Sequence, residues 1–198
     1  MALSKIQAES MNLADTYAFT GSVSGASDMA LLQNISITSG VNSVSWDSTY
    51  INDSYETYII FWRNITIDAT GNMGFRVGVS SGLSTSIYSS AGMEQSVGST
   101  VFASANGTGQ TRGTLSGNHD NQVSGEPSSG KLELYNLRKS GHEKHCFHTN
   151  IYWGTNNRVR VGGTHVSDTN VHSFVEIGNI GGGGNMVSGE FSLYGLKG

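Results

Sequence analysis

Short segments in which apolar and polar residues alternate follow one another along most of the chain. A period of two residues is the pattern of a β-strand that buries one face. The turns between the segments, such as TGN and GTNN, have the Gly and Asn content that tight turns require. The alternating segments are LLQNISITSG, YETYIIFWRNITI, GFRVGVSS, KLELYNLR, CFHTNIYWG, NRVRVGG, HSFVEIGNI and GEFSLYGLK.

This spacing of strands predicts the fold class. The sequence contains no convincing pattern for a long helix and no internal repeat. Frequent short strands joined by turns are typical of all-β proteins built from packed antiparallel sheets. We therefore predict an antiparallel β-sandwich or jelly roll over residues 31–198.

The strongest predicted strand is the segment YETYIIFWRNITI. Its alternation places one group of side chains on one face, Tyr58, Ile60 and Trp62, and a second group on the other, Ile59, Phe61, Ile65 and Ile67. Apolar residues on both faces are typical of a central strand that is covered on both sides. We expect this strand to lie in the middle of a sheet.

Composition and charge exclude several classes of protein. Only 13% of the 198 residues are charged and 27 are glycines, which favours a turn-rich fold over intrinsic disorder. The net charge of −4 provides no basic surface for DNA or RNA. Cys146 is the single cysteine, so the fold has no internal disulfide. No apolar run reaches the ~20 residues of a membrane span, and the N-terminus lacks the apolar core of a signal peptide.

Residues 1–30 differ from the rest of the chain and are predicted to form an N-terminal arm for attachment or oligomerisation. SKIQAESMNLAD would make a short amphipathic helix, with Ile6, Met11 and Leu13 on one stripe. An extended arm fits the same residues equally well, and the sequence leaves both open.

The segment HEKHCFH contains the residue types that bind metal ions. His142, His145, Cys146 and His148 are candidate ligands, because imidazole and thiolate suit zinc. On a strand, however, Cys146 and His148 point to one face and His145 to the other, so one strand does not gather them at one ion. The alternative is a strand edge with ordinary histidines, and we predict no metal and no cofactor.

Candidate catalytic groups are present without the arrangement that catalysis needs. His119 and Asp120 are adjacent, but no G-x-S-x-G turn supplies a nucleophilic serine. A glycosidase needs two carboxylates facing each other across a cleft. Nothing in the sequence pairs the carboxylates Asp47, Asp53, Glu56 and Asp68. We predict a protein that is not an enzyme. Tyr50, Tyr55 and Tyr88 are candidates for stacking on sugar rings, but aromatic residues more commonly serve the core or an interface, and we favour that role.

Two motifs resemble a known family. The first comprises Tyr58, Phe61, Asn64 and Ile65 in the strongest strand. The second is the closing segment SGEFSLYGLKG, with Gly189, Phe191, Leu193, Tyr194, Gly195, Leu196 and Lys197. They resemble a domain of tailed-bacteriophage virion proteins, particularly those of marine and cyanobacterial phages. The N-terminal AESMNLADTYAFTGSVSGA resembles segments of phage fibre proteins. The resemblance suggests that the closing segment is a strand that completes a sheet, with Phe191 and Leu193 packed inward.

The resemblance implies a non-enzymatic structural protein of the virion, assembled in the host cytoplasm. We expect a tail fibre or spike that contacts the host surface, attached to other virion proteins through the arm. A homo-oligomer, with a trimer favoured, and a host-surface glycan are the implied partners. The alternatives are a capsid decoration protein and, more remotely, a polysaccharide-degrading virion enzyme.

Overall fold

The structure is a computed structural model. Its described residues form strands and the turns that connect them. It describes residues 28–69, 71–79, 82–85, 87–96, 98–99, 103–104, 107–116, 127–153, 157–180 and 184–198. The predicted arm therefore lies outside the described residues up to position 27. Strand β1 begins at Met29, so residues 29 and 30, which the sequence assigned to the arm, belong to the sheet.

The described residues form fourteen strands, numbered in chain order. They are β1 (Met29–Ile37), β2 (Ser43–Trp46), β3 (Thr57–Ile67), β4 (Gly74–Val79), β5 (Gly82–Leu83), β6 (Tyr88–Ser96), β7 (Ala103–Ser104), β8 (Gly107–Gln110), β9 (Gly113–Thr114), β10 (Ser128–Tyr135), β11 (Lys144–Trp153), β12 (Asn157–Val166), β13 (Phe174–Gly178) and β14 (Met186–Leu196).

These strands form two antiparallel sheets, as the alternation predicted. The larger sheet has the order β1-β14-β3-β10-β11-β12-β6-β7, with β8 also paired to β6. The smaller sheet has the order β2-β13-β4-β5, with β9 also paired to β4. The all-β class and the β-sandwich are thus confirmed, while the finer assignment to a jelly roll stays a prediction.

One hydrophobic core joins the inner faces of the two sheets. Trp46 of the smaller sheet packs edge-on against Phe191 of the larger one, with ring centroids 6.4 Å apart. Phe75 packs in the same way against Tyr88 at 6.1 Å. The Tyr88 hydroxyl accepts a hydrogen bond from the Val77 backbone N–H at 2.8 Å. Aromatic pairs of this geometry stabilise a core beyond their buried area and fix how the sheets face each other.

Strand β3 lies inside the larger sheet, as predicted, but its faces are not those that simple alternation gives. Ile65 and Ile67 are buried in the same core as Trp62. The prediction that they share a face with Phe61 is wrong. Asn64 adopts a left-handed conformation with φ 54°, and the register with both neighbouring strands shifts there. This β-bulge adds one residue to β3 and reverses its alternation.

The outer face of β3 also differs from the prediction. Phe61 is 36% exposed on that face, so the strand is covered only on its inner side. The closing strand β14 runs between β1 and β3 and pairs with both. Phe191 and Leu193 of β14 are fully buried, which confirms the predicted inward packing.

Gly189 of β14 lies opposite the bulge and has a φ of +112°. A Cβ at this position would lie 2.6 Å from the Asn64 carbonyl oxygen and 2.7 Å from that of Arg63. No side chain fits so close to two backbone oxygens, and this φ also disfavours any residue other than glycine. The bulge in β3 and the glycine in β14 therefore depend on each other.

We expect Gly189→Ala to lower the free energy of unfolding by about 2 kcal/mol or more, because backbone strain and the clash add together. Gly98→Ala is the matched control, since Gly98 also has a positive φ, +83°, but nothing lies within 4 Å of its added Cβ. Denaturant unfolding of both variants measures the difference. Equal losses of stability would contradict the proposed clash.

Candidate functional site

The candidate metal ligands of the segment HEKHCFH lie on both faces of β11 and before it. Cys146 and His148 point into the core, and His145 points outward. His142 lies before the strand, where its Nδ1 is 3.0 Å from the Ser140 carbonyl oxygen. The predicted division of these residues is confirmed, but the strand is not an edge, because it pairs with β10 and β12. Across the described ranges, no group of three His, Cys, Asp or Glu side chains is arranged to hold a metal ion.

Two inward members of this segment, Cys146 and His148, are held in uncharged forms. Burial raises the pKa of the Cys146 thiol well above its ordinary value. Burial, together with the nearby positive charge of Arg160, lowers the pKa of His148 to about 4. The His148 ring lies over Gly162, whose added Cβ would be 2.8 Å from its Cε1. Within the described chain neither ring nitrogen of His148 has a hydrogen-bond partner. These side chains serve the packing of the core.

A polar cluster that the sequence did not reveal lies beside them on the inner face. Glu94 of β6 accepts a hydrogen bond from Arg158 of β12 at 2.7 Å and another from the hydroxyl of Tyr152. Arg160 lies 3.8 Å from the same carboxylate and is 3% exposed. The hydrogen bond with Glu94 raises the pKa of Arg158. The alternation of NRVRV indicates two faces, but it carries no signal that the arginines point inward.

The outer face of the same strands carries apolar side chains. We call this surface the outer apolar patch. It extends over three adjacent strands and comprises Met93, Phe147, Ile151, Val159 and Val161, which are 57%, 40%, 57%, 48% and 37% exposed. An open groove of about 350 Å³ runs along it, with Ile151, Val159 and Val161 in its lining. Neighbouring strands place these residues side by side, with Val161 opposite Met93 and Val159 opposite Ile151.

A pair of histidines lies on the same outer face, beyond the end of the patch. His145 of β11 is directly opposite His165 of β12 in the sheet register. Their ring centroids are 5.5 Å apart, and the rings are tilted by 32°. Glu143 places its Oε2 2.7 Å from His165 Nε2. Sequence reasoning singled out His145 but not His165, because only the strand register brings the two together.

A second groove on this face contains aromatic residues. Phe61 and Tyr194 meet edge to face, with ring centroids 5.7 Å apart. Together with Arg63 and Ser192 they line an open volume of about 290 Å³. Arg63 forms an ion pair with Glu190 at 2.6 Å. The groove combines exposed aromatic rings with charged groups, unlike the outer apolar patch.

The remaining candidate residues do not form a catalytic arrangement. His119 and Asp120 lie outside the described residues. The four candidate carboxylates have separate partners: Asp47 accepts from Thr49 N–H, Asp53 from Arg138, Asp68 from Asn185 N–H, and Glu56 pairs with Lys139. Asp47 lies directly before the turn at residues 48–50, and Asp53 lies within a turn. Tyr88 is fully buried, and Tyr50 and Tyr55 pack against the core, so none of the three is an open stacking platform.

Comparison of the chain with protein-family models, with curated proteins and with solved structures finds no match. The part of the chain that the structure describes contains no helix long and apolar enough to cross a membrane. Functional inference therefore depends on the surfaces described above.

The buried His148 makes the free energy of unfolding of the protein depend on pH. Its pKa is about 4 in the folded chain against an ordinary 6.5. Between these values the unfolded chain binds more protons, so stability is fully present above pH 6.5 and falls as the pH falls toward 4. From pH 7 to pH 5 this site alone should lower the free energy of unfolding by about 2 kcal/mol.

We expect His148→Leu to fold and to remove most of that loss, because leucine has no proton to gain and the imidazole ring has no hydrogen-bond partner among the described residues. Urea unfolding at pH 7 and pH 5 measures the change. His142→Leu, at an exposed position, is the control and should keep the acid dependence of the natural chain. An unchanged dependence in His148→Leu would refute the assignment.

Proposed function

We propose that the chain is a non-enzymatic structural protein of a tailed-bacteriophage particle that acts as a homo-oligomer, at a tail fibre or spike. The resemblance of its strand β3 and its closing segment to virion proteins supports the class. The outer apolar patch supports the oligomer, and it is the observation that carries the proposal.

The patch is informative because two strands have the polarity opposite to that of an ordinary surface strand. In β12, Arg160 is buried while Val159 and Val161 are exposed. In β11, Asn150 is 1% exposed while Ile151 is 57% exposed. A half-buried strand normally places its apolar residues inward. Apolar side chains that a fold keeps on its surface over three adjacent strands mark a contact site.

A second copy of the same chain is the partner that fits this surface. None of the five residues of the patch is charged, so two copies can bring their patches together without opposing like charges, although the chain as a whole carries a net charge of −4. The five side chains expose on the order of 400 Å², which matches the apolar part of a standard interface of about 800 Å² per partner. The polar neighbours of the patch, such as Gln95 and Thr149, would form its rim.

Val159→Asp should dissociate the oligomer, because it would bury an unpaired carboxylate in the contact. The matched control is Val79→Asp, since Val79 is 50% exposed on β4 of the other sheet. Light scattering on a gel-filtration column measures the mass. We expect a multiple of 21.0 kDa for the natural chain and for Val79→Asp, and a monomer for Val159→Asp.

A monomeric natural chain would contradict the proposed oligomer. An oligomer that Val159→Asp leaves intact would contradict the patch as its contact. The measured mass also tests the trimer that the sequence favoured.

Location on the particle separates the tail proposal from capsid decoration. Capsid symmetry repeats a site far more often than tail symmetry does, so counting copies on purified particles by electron cryomicroscopy distinguishes the two. Density on the capsid lattice would contradict the fibre proposal and indicate a decoration protein. Loss of polysaccharide viscosity on addition of the protein would instead indicate the degrading enzyme.

A host-surface glycan is part of the fibre proposal. The groove of Phe61, Tyr194 and Arg63 supports it, because aromatic rings stack on the apolar faces of sugars while charged groups bind their hydroxyls. The three tyrosines considered from the sequence offer less support, since they lie in or against the core.

A further inference from the structure

The histidine pair of β11 and β12 has a geometry that packing does not require. His145 and His165 are opposite each other on neighbouring antiparallel strands, where side chains stand about 5 Å apart. Both rings face an open pocket of about 310 Å³, whose lining includes the small residues Ser89, Ala91 and Gly163. The His165 side chain is 35% exposed, so solvent reaches the pair.

The separation of the two rings fits a shared metal ion. Two imidazoles on one tetrahedral zinc ion, with Zn–N bonds of about 2.0–2.1 Å and about 1.1 Å from each nitrogen to its ring centre, place the ring centroids about 5 Å apart. The observed centroid distance is 5.5 Å. The separation of the two exposed rings is therefore within a few tenths of an ångström of that of two imidazoles on one ion.

Glu143 supplies the interaction that usually accompanies a metal-binding histidine. Such a histidine donates its second ring N–H to a carboxylate, which fixes its tautomer and orientation. The Glu143 Oε2 lies 2.7 Å from His165 Nε2. When Nε2 donates its proton to Glu143, Nδ1 carries the lone pair. Ser167 Oγ is 3.5 Å from Nδ1, too far to hold that nitrogen in a normal hydrogen bond.

We propose that His145 and His165 bind one divalent cation of the imidazole-preferring group, zinc, nickel or copper, with Glu143 as the positioning residue of His165. The site has two protein ligands, because no third His, Cys, Asp or Glu of the described chain is arranged around it. Water completes the coordination, so the affinity is lower than that of a closed structural zinc site. The site requires neither the oligomer nor a virion role.

Isothermal titration of the full chain without an affinity tag, using zinc chloride and then nickel chloride, tests the proposal. We expect saturation at one ion per chain for the natural protein. His165→Ala and His145→Ala should each abolish saturable binding, because one imidazole remains. Glu143→Gln should weaken binding by about tenfold or more, as loss of such a carboxylate partner does.

His142→Ala is the matched control, since His142 lies one residue before Glu143 but outside the pair. It should bind as the natural chain does. Circular dichroism of each variant shows whether the fold is intact. Absence of binding at one ion per chain, or unchanged binding by folded His165→Ala, would overturn the site, and unchanged affinity of Glu143→Gln would overturn the role of the carboxylate.

Discussion

The pairing of β14 with β1 on one side and β3 on the other builds one end of the larger sheet and fixes its register. These strands come from the two ends of the described chain. Strand β14 pairs with residues 29–37 and 57–67, which precede it by more than a hundred positions in the sequence. Closing so long a loop costs conformational entropy before any contact forms. The register is then fixed by the bulge at Asn64 and by Gly189 opposite it, which leaves one alignment that buries Ile65, Ile67 and Phe191 together.

The parts of the fold that the sequence predicted are those set by local alternation. The period of two indicated the strands β1, β3, β10 and β14. In KLELY it also indicated the face of Leu132 and Leu134, which are buried. The assignment of side chains to the two faces of β3 became wrong only beyond Asn64, since a bulge depends on backbone conformation and leaves no mark in the apolar pattern. His165 was not recognised for a similar reason, because cross-strand neighbours depend on a register that single-sequence patterns do not contain.

The inverted polarity of β11 and β12 has its physical basis in the polar cluster at Glu94. The Glu94 carboxylate accepts charge-assisted hydrogen bonds from Arg158 and from the Tyr152 hydroxyl, and Arg160 lies 3.8 Å from it. The arginines would lack these interactions without the carboxylate. Such groups cost desolvation energy, and their net stabilisation is small. Their effect is to hold the arginines inward, so that Val159 and Val161, which alternate with them, face outward. The inner polar cluster and the outer apolar patch are therefore two sides of one arrangement.

Cys146 has a consequence for the surroundings in which the fold can exist. Its thiol is buried in the core and its raised pKa keeps it protonated, whereas oxidants and disulfides react with the exposed thiolate. With no other cysteine in the chain, no covalent cross-link has to form or survive for the sheets to pack. The same structure is therefore compatible with a reducing medium and with an oxidising one, because neither forms nor breaks a disulfide within it.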